Sequence, residues 1–372
     1  MTHTEENLFE LVQYGLGKSN HIRLHEPVDA KGLFELAQQQ GIAAVALDGI
    51  NKCYENNVPI KLDFQTKMEW IGLVQQMELL YRQHTGNILS LSKFYQENGI
   101  RMMVLKGYGL SLNYPVPNHR PVGDVDIYLF GEQENADELV HEKLGIDIDK
   151  SHHHHTVFQF QGEAVENHYD FLNVHVRKSN KRMEAKLKEI AENNLSLLET
   201  TKAEQAAKVR VDDRDNLLFP SVEFNAIYLL RHCAAHFAST EMTIRQILDW
   251  GFFMEKHHQE INWDEYLPYI KQEGMNRFYN LMGLFCMRHL GFDASIFHGL
   301  FDDNLFERFS NEIMSPEFED RENGKLLHSL SVKPRRWWHN RWKNRLCYPD
   351  SAWSEFAYGL WAKVLKPSHF LQ

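Results

Sequence analysis

The chain offers no cysteine pattern. Its four cysteines (Cys53, Cys233, Cys286 and Cys347) are scattered and form no Cys-x-x-Cys pair. That excludes a disulfide framework and reads as reduced thiols in a cytoplasmic protein. No run of about eighteen apolar residues exists, so no membrane span is expected. The opening Met1-Thr2-His3-Thr4-Glu5-Glu6-Asn7 is polar and acidic and lacks the apolar stretch of a secretory signal. An excess of positive charge is missing too. The formal net charge is −11, which argues against a general nucleic-acid coat protein, because phosphate contacts need clustered cations. No internal repeat of convincing period is present. What remains is ordinary globular composition, 43% hydrophobic and 24% charged. At 372 residues the chain is long enough for a sizeable core and roughly two or three domains.

The most informative stretch is Gly123-Asp124-Val125-Asp126-Ile127-Tyr128-Leu129-Phe130. Apart from its acids it favours a β-strand. Strand side chains alternate, so Asp124 and Asp126 share one face while Val125, Ile127 and Leu129 enter a core. Two acids on one strand face repel unless a cation lies between them, an arrangement suited to a divalent-metal site for phosphoryl transfer. The bland alternative is a half-buried strand with two solvated acids outside. Upstream, Met102 to Leu105 reads as a short apolar strand ending at Lys106-Gly107, where a short helix starts. A glycine at such a turn lets backbone approach a ligand, and helix N–H groups can meet a phosphate. Tyr114 to Pro121 is a proline-punctuated loop that cannot be helix. Lys106 and Arg120 are placed to face anionic oxygens, or else are ordinary solvated cations. Downstream, Thr156 to Phe160 and Ala164 to Leu172 read as hairpin arms around Gln161-Gly162-Glu163. In the second arm Glu166, His168 and Asp170 share a face by the period of two.

The order strand, glycine turn, helix, Asp-x-Asp strand and later acid resembles the DNA polymerase beta-like nucleotidyltransferase superfamily. More narrowly, Leu105-Lys106-Gly107, Arg120-x-x-Gly123-Asp124-x-Asp126 and Glu166-Asn167-His168 resemble a family of uncharacterised bacterial nucleotidyltransferases. The broad pattern covers about residues 100–175. The narrower one extends to His232-Cys233-Ala234-Ala235-His236 and to Arg245 and Asp249. The resemblance implies an α+β fold: a small mixed β-sheet nucleotidyltransferase core flanked by N-terminal and C-terminal helical regions. It implies Asp124, Asp126 and Glu166 as catalytic, metal-binding acids for Mg2+ or Mn2+, with Asp170 the reserve for the third position. It implies nucleotide contacts from Lys106, Gly107, Tyr108, Arg120, Gly123 and His168. The substrates would be a nucleoside triphosphate and a small-molecule or macromolecular acceptor that the sequence does not name. Two departures stand out. The superfamily usually follows the turn glycine with Gly or Ser, where this chain has Tyr108. The proline-rich loop also lengthens the spacing to Asp124, which suggests that Asn118 to Arg120 lies over the nucleotide. The competing reading is a catalytically inactive nucleotide-binding or regulatory module.

Residues 1–99 read as a helical lead-in, 100–200 as the catalytic core and 201–372 as a C-terminal helical region. Apolar residues at helical spacing mark Leu8 to Val12, Leu33 to Ala37 ending at Gly41, and a long helix from Thr66 that stops at Asn98-Gly99. Lys181 to Leu195 reads as a charged helix, and helices follow from Ser221. The run His152 to His155 invites a metal reading. If it opens a strand, only alternate histidines share a face, and two imidazoles bind zinc only with help from elsewhere. A polar, partly exposed strand start is the simpler expectation. His232 and His236 share a helix face, but no His-Glu-x-x-His pattern is present. With Arg245 and Asp249 they form a polar seam, or a lid over nucleotide or acceptor. Residues 333–345 interleave arginines with Trp337, Trp338 and Trp342 and contain no acid. Such a run can grip nucleic acid, as in an RNA or DNA end-modifying protein, or lie on an anionic membrane surface. The favoured reading is a tail packed back on the acidic body.

Overall fold

A computed structural model describes residues 1–175, 177–200, 210–212, 217–239, 241–316 and 338–351. Four helices come first: α1 (His3–Gly15), α2 (Ala30–Gln39), α3 (Ala43–Glu55) and α4 (Phe64–Glu97). Thr2 and Glu5 close a capping box on α1, and the Asp63 side chain accepts from the Thr66 N–H to start α4. The long apolar stripe of α4 ends where expected, at Asn98 and Gly99. Helix α3 has no amphipathic stripe to announce it, because Ala43 to Leu47 are all buried. It lies so close to α1 that a Cβ on Gly49 would stand 2.1 Å from the Leu11 carbonyl oxygen, and only glycine fits there.

The sheet follows. Its elements are β1 (Met103–Val104), α5 (Gly107–Ser111), β2 (Val125–Tyr128), α6 (Gln133–Leu144), β3 (His155–Phe160), β4 (Glu163–His168), α7 (Lys178–Thr200), β5 (Arg210–Asp212) and β6 (Leu217–Phe219). The six strands lie in the order β3-β4-β2-β1-β6-β5. β2 with β4 and β1 with β6 are parallel, and the remaining pairs are antiparallel. This is the mixed sheet of an α+β protein, with helices on both sides. Gln161 and Gly162 both take positive φ at the β3–β4 turn, as a two-residue hairpin loop requires. β4 ends at His168, before the expected Leu172. Phe171 and Leu172 turn instead into the main core. Strands β5 and β6 are also unannounced: both lie beyond position 200, and β6 joins the sheet beside β1.

Six further helices complete the described chain: α8 (Val222–Ser239), α9 (Ile244–His257), α10 (Trp263–Gln272), α11 (Asn276–Leu290), α12 (Phe306–Met314) and α13 (Arg341–Cys347). One core joins α1–α3 to α8–α12. A second core holds Val104, Val125, Ile127, Phe158 and Val165 of the sheet against Leu91 and Tyr95 of α4 and Val140 of α6. The sheet therefore buries one face in apolar packing and turns the other toward α8 and α9. All four cysteines are free and buried. No helix among the described residues is long and apolar enough to cross a membrane.

Candidate active site

Between the second sheet face and helices α8 and α9 lies a cleft of about 390 Å³. The strand period of two decides what borders it. Val125 and Ile127 go to the apolar side, so Asp124 and Asp126 border the cleft. On β4, Val165 and Asn167 face away, with the Asn167 amide donating to Asp137 on α6 at 2.8 Å. Glu166 and His168 therefore face in. The parallel pairing places Asp126 opposite Glu166 and Tyr128 opposite His168.

Charge balance in the cleft is tight. The Lys106 ammonium lies 2.8 Å from Asp126 Oδ1, and His168 Nε2 lies 2.9 Å from the same oxygen. His168 Nε2 is also 3.3 Å from Glu166 Oε2, while its Nδ1 is 3.2 Å from the Asp170 carbonyl oxygen. Burial would raise the Asp126 carboxyl, but Lys106 and His168 outweigh it and hold it well below the carboxylate range. Burial would likewise lower Lys106, yet Asp126 keeps its ammonium pKa raised. Asp124 has no such cation of its own. Burial and the neighbouring charges of Glu166 and Asp126 push its carboxyl up. For Glu166, burial is outweighed by the His168 hydrogen bond, and its carboxyl is lowered. His168 is raised in return, because Asp126 and Glu166 overcome the effect of burial.

The donor set fits a divalent ion. Asp126, Glu166 and His168 each offer one ligand atom, all within 4.8 Å of one another. The like-charge strain on Asp124 is what a nearby cation would relieve.

Other residues singled out by sequence take up varied positions. Gly107 and Gly123 border the cleft. A Cβ on Gly107 would meet nothing nearer than the Asp124 carbonyl oxygen, at 3.9 Å. The strained backbone sits one residue earlier, at Lys106, with φ +42°. The Tyr108 side chain leaves the cleft and packs near Tyr81 and Phe219. Arg120 is not a solvated cation. It is 4% exposed and donates to both Asp249 oxygens, at 2.8 and 2.9 Å. Tyr114 also donates to Asp249, at 2.8 Å, so the proline loop is pinned to α9. His119 ties the same loop to Asp48 and Glu78. Asp170 has left the strand, and its carboxylate pairs with Lys188 on α7. His232 and His236 border the cleft with rings 4.6 Å apart. Burial keeps both neutral, His236 falling to about 4. Arg245 borders it too.

Residues 26–291 match a family described as uncharacterised nucleotidyltransferase. The chain belongs to that family. The match contains the sheet, the cleft and helices α8 to α11. No curated protein and no solved structure matches the chain. The family thus supplies the reaction class, nucleotidyl transfer, and the cleft supplies the residues available for it.

Sequence reasoning did not place the histidine run at the cleft. His154 and His155 both reach the cleft beside His168. Strand parity was applied from His152, but β3 begins only at His155, so neighbours are free to converge. The repetition of histidine was the available signal.

Proposed function

We propose that the protein moves a nucleoside monophosphate from a nucleoside triphosphate to an acceptor hydroxyl, releasing pyrophosphate. The observation that carries this reading is the pairing of Asp126 with Glu166 across β2 and β4, beside Asp124 on one face of a cleft. When bound, divalent ions (Mg2+ or Mn2+) held by Asp124, Asp126 and Glu166 would neutralise triphosphate charge and lower the pKa of the acceptor hydroxyl. The protein's own groups then do positioning and electrostatic work. Backbone N–H groups at Gly107 and Tyr108 and the Lys106 ammonium meet the departing phosphates. Arg120 acts through Asp249 to hold the loop carrying Asn118 over the nucleotide. Glu166, with its lowered carboxyl, suits ion binding better than proton abstraction. Neutral His232 and His236, with Arg245, form the opposite wall, where an acceptor can be oriented. Free, buried cysteines support a reducing, cytoplasmic setting.

Glu166 lies in the same ligand cluster as Asp126 whereas Asp170 pairs with Lys188. This favours catalysis over an inactive nucleotide-binding module. The basic-aromatic segment gives little support to nucleic-acid end modification. Residues 333–337 lie outside the described residues, but Trp342 packs edge-on against Phe237 and Lys343 is buried beside Glu312.

The test is pyrophosphate release from labelled nucleoside triphosphates with Mg2+ or Mn2+ and a metabolite extract. Asp124→Asn and Glu166→Gln should abolish it, and Asp170→Asn should spare it. Turnover that survives both Asp124→Asn and Glu166→Gln would remove this assignment.

A further inference from the structure

We propose that His154, His155 and His168 form an imidazole metal site for a borderline first-row ion such as Zn2+, adjoining the acidic cluster and sharing His168 with it. One ring nitrogen from each of the three lies within 4.8 Å of the others. Ring centroids are 4.4 Å apart for His154 and His155, 5.1 Å for His155 and His168, and 5.6 Å for His154 and His168. Tetrahedral zinc with nitrogen ligands at about 2.0–2.1 Å holds its donors roughly 3.4 Å apart, so modest rotation of the rings would close the set. Three imidazoles leaving one position open is a common zinc arrangement, and nitrogen donors select against Mg2+.

The second observation is independent of the clustering. His155 is only 6% exposed, yet its Nδ1 has no hydrogen-bond partner, and neither has the buried Nδ1 of His154. A buried ring nitrogen without a partner is costly, and a bound ion would satisfy it.

His168 has the outer partner such a ligand needs. A carbonyl oxygen only accepts, so the bond to Asp170 places one proton on Nδ1, and a carbonyl held this way is a usual outer partner of a metal-bound imidazole. The carboxylates of Asp126 and Glu166 hold a second proton on Nε2, and an ion entering the site takes the place of that proton. Nε2 is also the atom near Asp126 and Glu166. One lone pair serves one ion, so filling the imidazole site draws His168 away from the carboxylates.

The experiment uses the full-length protein, freed of metal by chelation and titrated with Co2+ as a coloured stand-in for Zn2+. The expected result is the intense visible absorption of a four-coordinate nitrogen-rich site, displaced by Zn2+ and not by excess Mg2+. His154→Gln and His155→Gln should each weaken binding about a hundredfold. Asp124→Asn should leave the Co2+ spectrum unchanged although it stops turnover, so failure of this site and failure of the transferase reading separate. Circular dichroism checks folding, and the partly exposed His154 keeps the test open if His155→Gln does not fold. A weak six-coordinate spectrum, or binding that is indifferent to His154→Gln, would overturn the proposal.

Discussion

Lys106 Nζ stands 2.8 Å from Asp126 Oδ1, so a protein cation already sits on a carboxylate assigned to metal. The two must share or exchange that oxygen when an ion arrives. Lys106→Gln should therefore cost the metal-free protein about 3 kcal/mol, because Asp126 loses its buried partner. The same variant should gain more thermal stability from Mn2+ than the wild type does. Melting curves with and without Mn2+ decide it, and an equal metal response in both proteins would refute the exchange.

Asp124 and Asp126 should respond differently to neutralisation, although both losses stop turnover. Asp126→Asn strands Lys106 and His168 beside an amide and should destabilise by about 3 kcal/mol. Asp124→Asn removes a carboxyl raised by burial and by its acidic neighbours, so stability should stay within about 0.5 kcal/mol or rise. Urea unfolding of the two variants tests the contrast.

Arg120 and Asp249 make a buried two-bond pair. Arg120→Met or Asp249→Leu alone should each cost about 3–5 kcal/mol, since each leaves a charge without its partner. The double variant should cost much less than the sum. A double-mutant cycle showing coupling below about 0.5 kcal/mol would reduce the pair to an incidental contact.

Acid should unfold the protein through its histidines. Burial lowers His236 and His289 to about 4, and His154, His155 and His232 move the same way. The unfolded chain takes up protons below about pH 6.5 that the native fold refuses. The stabilising contribution of these groups is thus complete above pH 6.5 and is lost as pH falls toward 4. Each well-buried histidine can contribute at most about 1.4 kcal/mol per pH unit in that window. His119 and His168 are raised by their carboxylate partners and run the other way, losing their contribution as pH rises. The expected net result is a urea midpoint that falls steadily from about pH 7 to pH 5. A midpoint that stays level or rises over that range would refute this balance.

The parts of this site legible in the sequence are those governed by local periodicity. Alternation alone put Asp124 and Asp126 on one face and Val125, Ile127 and Leu129 on the other, and β2 follows it. That Glu166 and not Asp170 lies opposite Asp126 follows from the parallel register of β4 and from its end at His168, which depend on packing that no local pattern encodes. Asp249 was read only as part of a polar seam or lid with His232, His236 and Arg245. Its actual partner, Arg120, lies far back in the chain on the proline loop, just after a single 3-10 turn at Pro117–His119. Helix α3 and strand β6 escaped notice for opposite reasons. The first turns of one are buried on every side, and the other is too short to show a period.

The pairing of Met103 with Leu218 also governs how this protein can be made and divided. During synthesis β1 emerges well before β6, and until then its outer edge has backbone groups without a strand to bind them. An expression fragment stopped at residue 200 would hold Asp124, Asp126 and Glu166 yet keep that edge open permanently. Strand-to-strand association between copies is the expected fate of such a fragment, so subcloning boundaries belong beyond Phe219.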